Sequence, residues 1–270
     1  MVFLLNNNMK SKYKYLISII TPCFNSQEHI IETIESVINQ TYKNWELILV
    51  DDNSNDKTVK IINSYSQNDN RIKLISSKKN SGSGYSRNLA IDKAKGQFYT
   101  FLDSDDLWYP KKLQKQLDFI LSNNYILTYT NYDVINNKSI RYIKNKKITK
   151  RVNYFDILKN NRIGCSTVMY NASVVNKNKK IYMSKIRCRQ DLSLWLKILK
   201  LYDYAYGLDE VLSTYRIRKK SISSNKIKMV YYQWILYRKV EKLSFTKCIY
   251  FLIFSLFSGL NKYFKQIRKN

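Results

Sequence analysis

The sequence predicts an α/β protein in which helices flank a mostly parallel central sheet and a helical tail follows at the C-terminus. Three observations support this prediction. The 270 residues, of which 44% are hydrophobic, are enough to bury a full core. The first half alternates short apolar runs with segments of helical periodicity, which is typical of parallel strands joined by right-handed crossovers. With 6 Gly and 2 Pro, the chain contains no segment that resembles a linker.

Apolar runs predict the strands. Residues 16–21 (LISIIT) and 45–50 (WELILV) are almost continuously apolar, as expected of strands that are covered on both faces. After residue 133 the pattern is less regular, and only residues 163–170 predict a further strand. In chain order, the predicted strands are residues 16–21, 45–50, 71–75, 98–102, 126–132 and 163–170.

Helical spacing of apolar side chains predicts a helix after each of the first four strands. In residues 28–40, for example, Ile30, Ile34 and Val37 recur on one face. A later helix is predicted where Leu192, Trp195 and Leu196 would point inward. The predicted helices are residues 28–40, 56–65, 86–95, 111–121 and 189–200.

Polar residues follow three of the predicted strands. Residues 22–25 follow the first strand, Asp51 and Asp52 the second, and the acidic run 103–106 (DSDD) the fourth. In an open parallel sheet, ligands bind beyond the carboxyl ends of the strands. Carboxylates this close repel one another unless a cation lies between them, and Asp-x-Asp suits a divalent ion that bridges two phosphates. A nucleotide diphosphate site is therefore predicted at this edge, with a solvated acidic turn as the alternative.

Several other classes of site lack their signatures. The chain has no GxGxxG after the first strand and no GxxxxGK[ST], so it lacks the phosphate grip of dinucleotide oxidoreductases and P-loop kinases. Its 4 Cys are scattered, which makes a zinc site a poor fit and suits a reducing cytosol. The single histidine, His29, lies in a predicted helix without a matching nucleophile.

The net charge of +27 admits three kinds of partner: nucleic acid, an anionic membrane surface or a phosphorylated ligand. A basic nucleic-acid-binding protein is an alternative function, because the 23 Tyr could stack on bases. Clustered acids at the edge of the sheet oppose a polyanion, however, and no nucleic-acid-binding module is recognisable. We expect no nucleic acid partner.

Six segments together resemble family 2 glycosyltransferases with the GT-A fold. They occur in the family's order and spacing from about residue 16 to residue 223. The segments are SIITPCFN (18–25), SVINQTYKNWELILVDDNSND (36–56), SGYSRNLAIDKAKGQFYTFLDSDDLW (83–108), CSTVMY (165–170), QDLSLWLKI (190–198) and LSTYRIRKKSIS (212–223).

The resemblance implies a nucleotide pocket at the ends of the first two strands. Pro22, Phe24 and Asn25 would line this pocket, with Phe24 near the base. Asp52 would accept a hydrogen bond from the base, usually uracil, and Asp51 would support the loop.

The resemblance also implies roles for four residues at the reacting end of the nucleotide sugar. Arg87 would lie near the nucleotide and its diphosphate. Asp105 would bind Mn²⁺ or Mg²⁺, and Asp103 would take part in the same Asp-x-Asp element while facing the sugar or ribose. Asp191 would be the catalytic base.

A metal-dependent, inverting glycosyltransferase is the implied activity. The metal would offset charge on the departing diphosphate, while Asp191 takes the proton of the acceptor hydroxyl as it attacks the anomeric carbon. The donor is expected to be a UDP-sugar. The expected acceptor is a surface glycan such as lipopolysaccharide, lipooligosaccharide or capsule, free or lipid-linked. A catalytically silent scaffold is the alternative, which the intact Asp52, Asp103, Asp105 and Asp191 oppose.

The sequence departs from the family pattern at two places. The family often has Glu-Asp where this chain has Gln190 and Asp191, so the acid beside the base is missing. The family also often has Arg-x-His where this chain has Arg216 and Arg218. Both arginines are candidate phosphate contacts, but neither titrates as a histidine does.

The predicted organisation is an N-terminal extension (1–15), a catalytic domain (16–225) and a tail (226–270). The domain would divide into a nucleotide-sugar half (16–132) and an acceptor half (133–225). In the tail, Cys248 to Asn261 carry no charge, but these 14 residues are shorter than the ~20 that span a membrane. A helix in the membrane interface is expected, or one packed on the domain or on a partner subunit. We expect a cytoplasmic protein at the inner face of the plasma membrane.

Overall fold

The structure, a computed structural model, describes residues 14–137, 139–143, 148–218 and 225–267. The predicted N-terminal extension therefore lies outside the described residues, apart from residues 14 and 15.

A ten-stranded sheet forms the centre of the described part of the chain. The strand order is β3-β2-β1-β4-β9-β6-β10-β5, with β7 paired to β6 and β8 paired to β10. The strands are β1 (Ile17–Cys23), β2 (Trp45–Asp51), β3 (Ile72–Ser76), β4 (Phe98–Phe101), β5 (Leu107–Trp108), β6 (Leu127–Ile135), β7 (Arg141–Ile143), β8 (Arg151–Asn153), β9 (Val168–Asn171) and β10 (Tyr204–Arg216).

The first four strands in this order, β3, β2, β1 and β4, are all parallel to one another. Every residue of β1 and β2 is buried, as their continuous apolar runs predict. The sheet is mixed beyond β4, because β9 runs antiparallel to both β4 and β6, while β10 is parallel to β6. The α/β fold class is thus confirmed, and its parallel half contains the first four predicted strands.

Two elements of the second half differ from the prediction. Residues 165–167 form a 3₁₀ turn, so only residues 168–171 of the predicted strand join the sheet. The hydroxyl of Ser166 in this turn donates to Asp106, which bends the chain over the acidic run. β10 is absent from the predicted elements. Its 13 residues include Gly207 and two acids, and its pairing with β6 is interrupted twice by register shifts.

Helices cover both faces of the sheet. They are α1 (Ile30–Ile38), α2 (Thr58–Asn68), α3 (Ser83–Lys93), α4 (Lys112–Asn123), α5 (Tyr154–Lys159), α6 (Ala172–Val175), α7 (Gln190–Tyr202), α8 (Lys226–Ile235) and α9 (Phe245–Ile267), with a π-helical segment at Leu236–Val240. The five predicted helices lie within three residues of α1, α2, α3, α4 and α7 at both ends.

Two hydrophobic clusters separate the faces. One cluster joins α1, α2 and α4 to the sheet through side chains such as Ile34, Ile62 and Leu117. The other joins α3, α5, α7 and α9 to the opposite face through side chains such as Ala90 and Trp195. The protein is therefore three layers thick, and the carboxyl ends of the parallel strands remain open between the layers.

Over residues 245–257, the C-terminal helix α9 packs on the domain with one face. Cys248 and Phe251 are buried, and the Phe251 ring stacks on Phe155 with 6.4 Å between ring centroids. The opposite face leaves large apolar side chains exposed: Phe245, Ile249, Tyr250, Ile253, Phe254, Leu256 and Phe257. Among the described residues, no helix is both long enough and apolar enough to cross a membrane.

Arg216, at the end of β10, ties three distant parts of the chain together. Its side chain is 0% exposed and its Nη2 lies 2.9 Å from Glu32 of α1. Nε donates to the carbonyl oxygen of Asp105 (2.7 Å), and Nη1 donates to the hydroxyl of Ser139 (3.0 Å). The backbone N–H of Arg216 also donates to the carboxylate of Asp106 at 2.9 Å. This single side chain therefore fixes the acidic run against α1.

We expect Arg216→Met to lower the free energy of unfolding by ~3 kcal/mol, because it leaves several buried acceptors without a donor. Arg218→Met is the matched control, since Arg218 lies two residues further on and is 39% exposed. That change should cost less than ~1 kcal/mol. Urea unfolding of the two variants measures both values, and equal losses would contradict the assigned role of Arg216.

Candidate active site

The ends of β1, β2 and β4 meet at one edge of the sheet. The N–H of Asp52 donates to the carbonyl of Cys23 at 2.8 Å, and the N–H of Leu102 donates to the carbonyl of Ile20 at 3.1 Å. These bonds extend the pairing of the parallel strands to their last residues. The loops that carry the predicted site residues are therefore neighbours, as the sequence predicts.

Phe24 projects from the loop that follows β1. Pro22 is buried at the end of the strand, whereas the Phe24 side chain is 47% exposed. Asn25 adopts a positive φ of 46°. Its N–H donates to the hydroxyl of Ser54 (2.9 Å), and its Oδ1 accepts from the N–H of Asn55 (3.0 Å). The loop is thus fixed while the Phe24 ring remains open to solvent, so it is available to stack on a base.

Asp51 and Asp52 are both buried, and each holds a different loop. The Asp51 carboxylate accepts from the N–H of Ser54 (3.0 Å) and from its hydroxyl (2.5 Å). The Asp52 carboxylate accepts from the N–H groups of Ser81 (2.8 Å) and Gly82 (2.7 Å). Asp52 is thereby placed between the end of β2 and the segment that leads into α3. Its binding of a base stays a prediction.

Arg87 reaches the acidic run from α3. Gly82 precedes this helix with φ at +91°, a left-handed conformation that favours glycine. One turn into α3, the Arg87 side chain is 6% exposed and its Nη2 lies 2.5 Å from Oδ1 of Asp103. The Nε of Arg87 has no hydrogen-bond partner among the described residues. A buried donor is therefore left over at the predicted diphosphate position.

The three acids of the run 103–106 have different surroundings. Asp103 is 30% exposed and pairs with Arg87. Asp106 is buried and accepts from the hydroxyl of Ser166 at 2.6 Å. Burial, with the charges of Asp105 and Asp103, raises the pKa of Asp106 well above its usual range. Asp106 therefore has a structural role, which explains why the run contains a third acid. Apart from the segment CSTVMY (165–170) that resembles the family, the sequence contains no signal for the role of Ser166.

Asp105 is paired with Arg218. The Nε of Arg218 lies 2.5 Å from Oδ2 of Asp105, whose side chain is 12% exposed. Burial raises the pKa of Asp105 to about 6; Arg218 opposes this increase and Asp103 adds to it. A second cation near this carboxylate would favour its ionised form.

The donor set fits a metal ion that is held jointly with a diphosphate. Asp103 and Asp105 offer hard carboxylate oxygens, which suit Mg²⁺ or Mn²⁺. Within the described residues, no group of three His, Cys, Asp or Glu side chains could hold a metal ion by itself. Mg²⁺ is usually held by one or two carboxylates together with substrate phosphates. The residues present match that mode.

Asp191 lies in the first turn of α7 and is partly exposed. The preceding residue, Gln190, is buried and donates its Nε2 to the hydroxyl of Ser83 at 2.6 Å, which joins the start of α7 to the start of α3. Burial opposes the charged form of the Arg87 guanidinium, but nearby anionic groups that include Asp103 and Asp191 raise its pKa. Asp191 is therefore close enough to Arg87 for their charges to interact.

The buried thiol of Cys23, at the end of β1, is affected by several of the same carboxylates. Burial raises the pKa of Cys23 well above its usual range, and the charges of Asp51, Asp103 and Asp105 raise it further. Three carboxylates from two different strand ends thus lie within electrostatic reach of one sulfur atom.

The two candidate phosphate contacts differ in exposure. Arg218 is 39% exposed, whereas Arg216 is fully buried and its guanidinium is bonded within the protein, so it is not available to a phosphate. The sequence could not separate the two, because burial of a single arginine leaves no pattern. Lys219 and Lys220, which follow Arg218, lie outside the described residues.

Comparison with known proteins shows the family to which the chain belongs. Residues 18–178 match the profile described as Glycosyl transferase family 2. The chain is 40% identical to TuaG of Bacillus subtilis, named for teichuronic acid biosynthesis, over 88% of this chain and 93% of the relative. It is 38% identical to WfgD of Escherichia coli over 92% of this chain and 95% of the relative. WfgD is named as a UDP-Glc:α-D-GlcNAc-diphosphoundecaprenol β-1,3-glucosyltransferase.

Solved structures share the fold at low sequence identity. Residues 1–349 of S. aureus TarS in complex with UDP-GlcNAc give a TM-score of 0.66 at 21% identity, covering 87% of this chain and 70% of that one. The mannosyltransferase PcManGT of Pyrobaculum calidifontis, in complex with GDP-Man and Mn²⁺, gives 0.64 at 13% identity, covering 89% and 72%. The fold is therefore GT-A. With more than half of its length matched by the family profile, and with near full-length relatives, this chain belongs to glycosyl transferase family 2.

Proposed function

We propose that this protein is an inverting, metal-dependent glycosyltransferase that moves a sugar from a UDP-sugar to a hydroxyl of a lipid-linked surface glycan. The observation that carries this proposal is the ion pair between Arg87 and Asp103 next to Asp105, with the start of α7, which carries Asp191, bound to the start of α3. The proposed reaction requires the donor diphosphate and the acceptor hydroxyl to bind next to each other, and this edge of the sheet is the proposed place for both.

A uridine nucleotide is the donor that the comparisons favour. TarS is known in complex with UDP-GlcNAc, and WfgD is named for UDP-Glc. In this chain Phe24 supplies an exposed ring for the base, and Asp52 supplies a carboxylate for its N–H. The acceptor class is drawn from the names of TuaG and WfgD, which refer to teichuronic acid and to a diphosphoundecaprenol-linked sugar.

Each charged group has one task in the proposed reaction. Asp103 and Asp105 would hold the metal, which supplies positive charge against the departing diphosphate. Arg87, with a spare buried N–H, and Arg218 would bind the phosphate oxygens. Asp191 would take the proton of the attacking hydroxyl. A single displacement opposite the leaving group inverts the anomeric centre.

A membrane surface is the proposed location of the enzyme. The exposed face of α9 includes Phe254 (43% exposed) and Phe257 (64% exposed). Exposed basic residues flank its start, namely Arg238, Lys239, Lys242 and Lys247. An apolar helix face with basic neighbours suits an anionic bilayer. A lipid-linked acceptor would be presented at that bilayer.

The donor proposal predicts metal-dependent binding of UDP. Calorimetry with UDP, GDP, TDP and CMP, each with and without Mn²⁺, should give binding of UDP that strengthens with the metal. Asp105→Asn should weaken Mn²⁺-dependent UDP binding by roughly tenfold to a hundredfold, because it removes a charged ligand. Asp118→Asn, on the exposed side of α4, is the matched control. Equal affinity in the two variants would refute the role of Asp105.

If Asp191 is the catalytic base, its substitution should slow the chemical step and leave donor binding unchanged. Asp191→Asn should lower kcat by ~10²–10⁴-fold, because the side chain keeps its shape but can no longer take a proton. The affinity for UDP should stay within about twofold of the original protein. Steady-state kinetics and calorimetry measure the two quantities, and a kcat within threefold of the original would exclude Asp191 as the base.

The membrane proposal predicts that the protein floats with anionic liposomes at low salt. Phe254→Asp with Phe257→Asp should release it, because both side chains lie on the exposed face of α9. The control is Leu121→Asp with Leu201→Asp, which places the same charges on two exposed apolar positions of α4 and α7. If the α9 variant still floats as the control does, α9 is not the anchor.

A further inference from the structure

We propose that a cavity beside α3, together with a neighbouring basic cluster, binds the diphosphate of the acceptor. We call the space between α3 and residues 182–187 the α3 cavity, and Lys185, Arg187, Arg189 and Lys228 the basic cluster. The inference rests on the proposed function, because it assigns a diphosphate-linked acceptor to the same active site.

The α3 cavity has a volume of about 470 Å³. Tyr182 and Asp92 are among its lining residues, and the hydroxyl of Tyr182 donates to Asp92. Two hydrogen bonds between Asn88 and the backbone of Met183, of 2.9 and 3.0 Å, hold the two walls together. The apolar part of the lining is Leu89, Met183 and Ile186. The cavity is thus a fixed feature with room for a small phosphorylated group.

The cavity and the active site share one wall. Ser81 and Gly82 line the cavity and also donate their N–H groups to Asp52. Gly84 lines it as well, and a Cβ on Gly84 would lie 2.9 Å from Cγ of Gln190. The cavity is therefore separated from the proposed nucleotide pocket by one segment of chain, and it adjoins the residue that precedes Asp191.

The basic cluster lies at this wall without acidic partners. Arg187 passes over Gly82 and donates to Oδ1 of Asn80 at 3.0 Å. Burial raises the pKa of the Cys188 thiol, and the charges of Lys228, Arg189 and Arg187 oppose this increase, so the three cations lie near one another. In the described part of the chain, none of the four cluster residues forms an ion pair.

Arg189 adds a donor with no acceptor. It precedes α7 with φ at 65°, and its Nε is buried without a hydrogen-bond partner among the described residues. By contrast, Arg216 and Arg87 are each paired with a carboxylate. Guanidinium groups that lie beside a cavity and have no carboxylate partner are suited to bind phosphate oxygens through two parallel hydrogen bonds.

The position of the cluster favours the acceptor over the donor as the source of the diphosphate. The donor diphosphate is assigned to Asp103, Asp105 and Arg87, on the other side of the segment 81–84. In an acceptor such as the one that WfgD is named for, the sugar is linked directly to a diphosphate. The attacking hydroxyl and the diphosphate are then one sugar apart, and Arg189 and Asp191 are two positions apart at the start of α7. The apolar wall would receive the first hydrocarbon units.

Calorimetry with geranyl diphosphate tests the assignment. The probe is titrated into the full chain that is already saturated with UDP and Mn²⁺, and we expect it to bind. Arg187→Gln with Lys228→Gln should weaken this binding at least tenfold; both side chains are exposed, so the fold should be kept. Lys93→Gln with Lys95→Gln, at the far end of α3, removes the same charge and should leave the affinity unchanged.

Three results with geranyl diphosphate would overturn the proposal, and a fourth comes from a monophosphate control. The first is that the probe does not bind. The second is that the two double variants bind it equally. The third is that saturating UDP abolishes its binding, which would assign the cations to the donor. Geranyl monophosphate should bind at least tenfold more weakly. Equal binding of the monophosphate would indicate a general phosphate site, such as one for phospholipid headgroups, and would overturn the diphosphate assignment.

The UDP titration that precedes each run separates this inference from the proposed function. Normal UDP binding with no effect of the cluster substitutions removes the acceptor site alone. Absence of UDP binding removes the proposed donor. In that case geranyl diphosphate is titrated into the Mn²⁺-containing protein, and the same comparison of double variants decides the fate of the α3 cavity.

Discussion

The buried guanidinium of Arg216 is the contact on which the geometry of the active site depends. It binds the backbone of the acidic run on one side and Glu32 of α1 on the other. Together with Ser166, which binds Asp106, it holds in place a loop that contains three acids that repel one another. Precise placement of such groups requires side chains whose own positions are locked by neighbouring hydrogen bonds.

Charge at the edge of the sheet is divided between framework and chemistry. Asp106 is withdrawn into the protein, where Ser166 and the backbone of Arg216 bind it. Asp103 stays near the surface and Asp105 is largely buried, and each lies against one arginine. The strongly basic composition therefore has a local purpose here: arginines neutralise the acids and, in the proposed function, bind the phosphates that arrive with the metal. Elsewhere, at the basic cluster, they remain without acidic partners among the described residues.

The edge of the sheet was predictable from the sequence because it depends on local signals. Continuous apolar runs give β1 and β2, and the polar residues after them must lie at a common edge. β10 was not predictable in this way, because its pattern is irregular and its contacts reach residues more than a hundred positions away. The burial of Arg216 and the contact between Gln190 and α3 are equally non-local. Sequence order supplied the candidates, but only the fold separates the structural arginine from the exposed one.

The bond between Glu32 and Arg216 spans 184 positions of the chain. Because loops of this length close only after both ends exist, the acidic run acquires its support at a late stage of biosynthesis. A nascent chain that ends before β10 lacks the guanidinium that binds the acidic run and Glu32. Support of the acidic run is thus linked to completion of the domain.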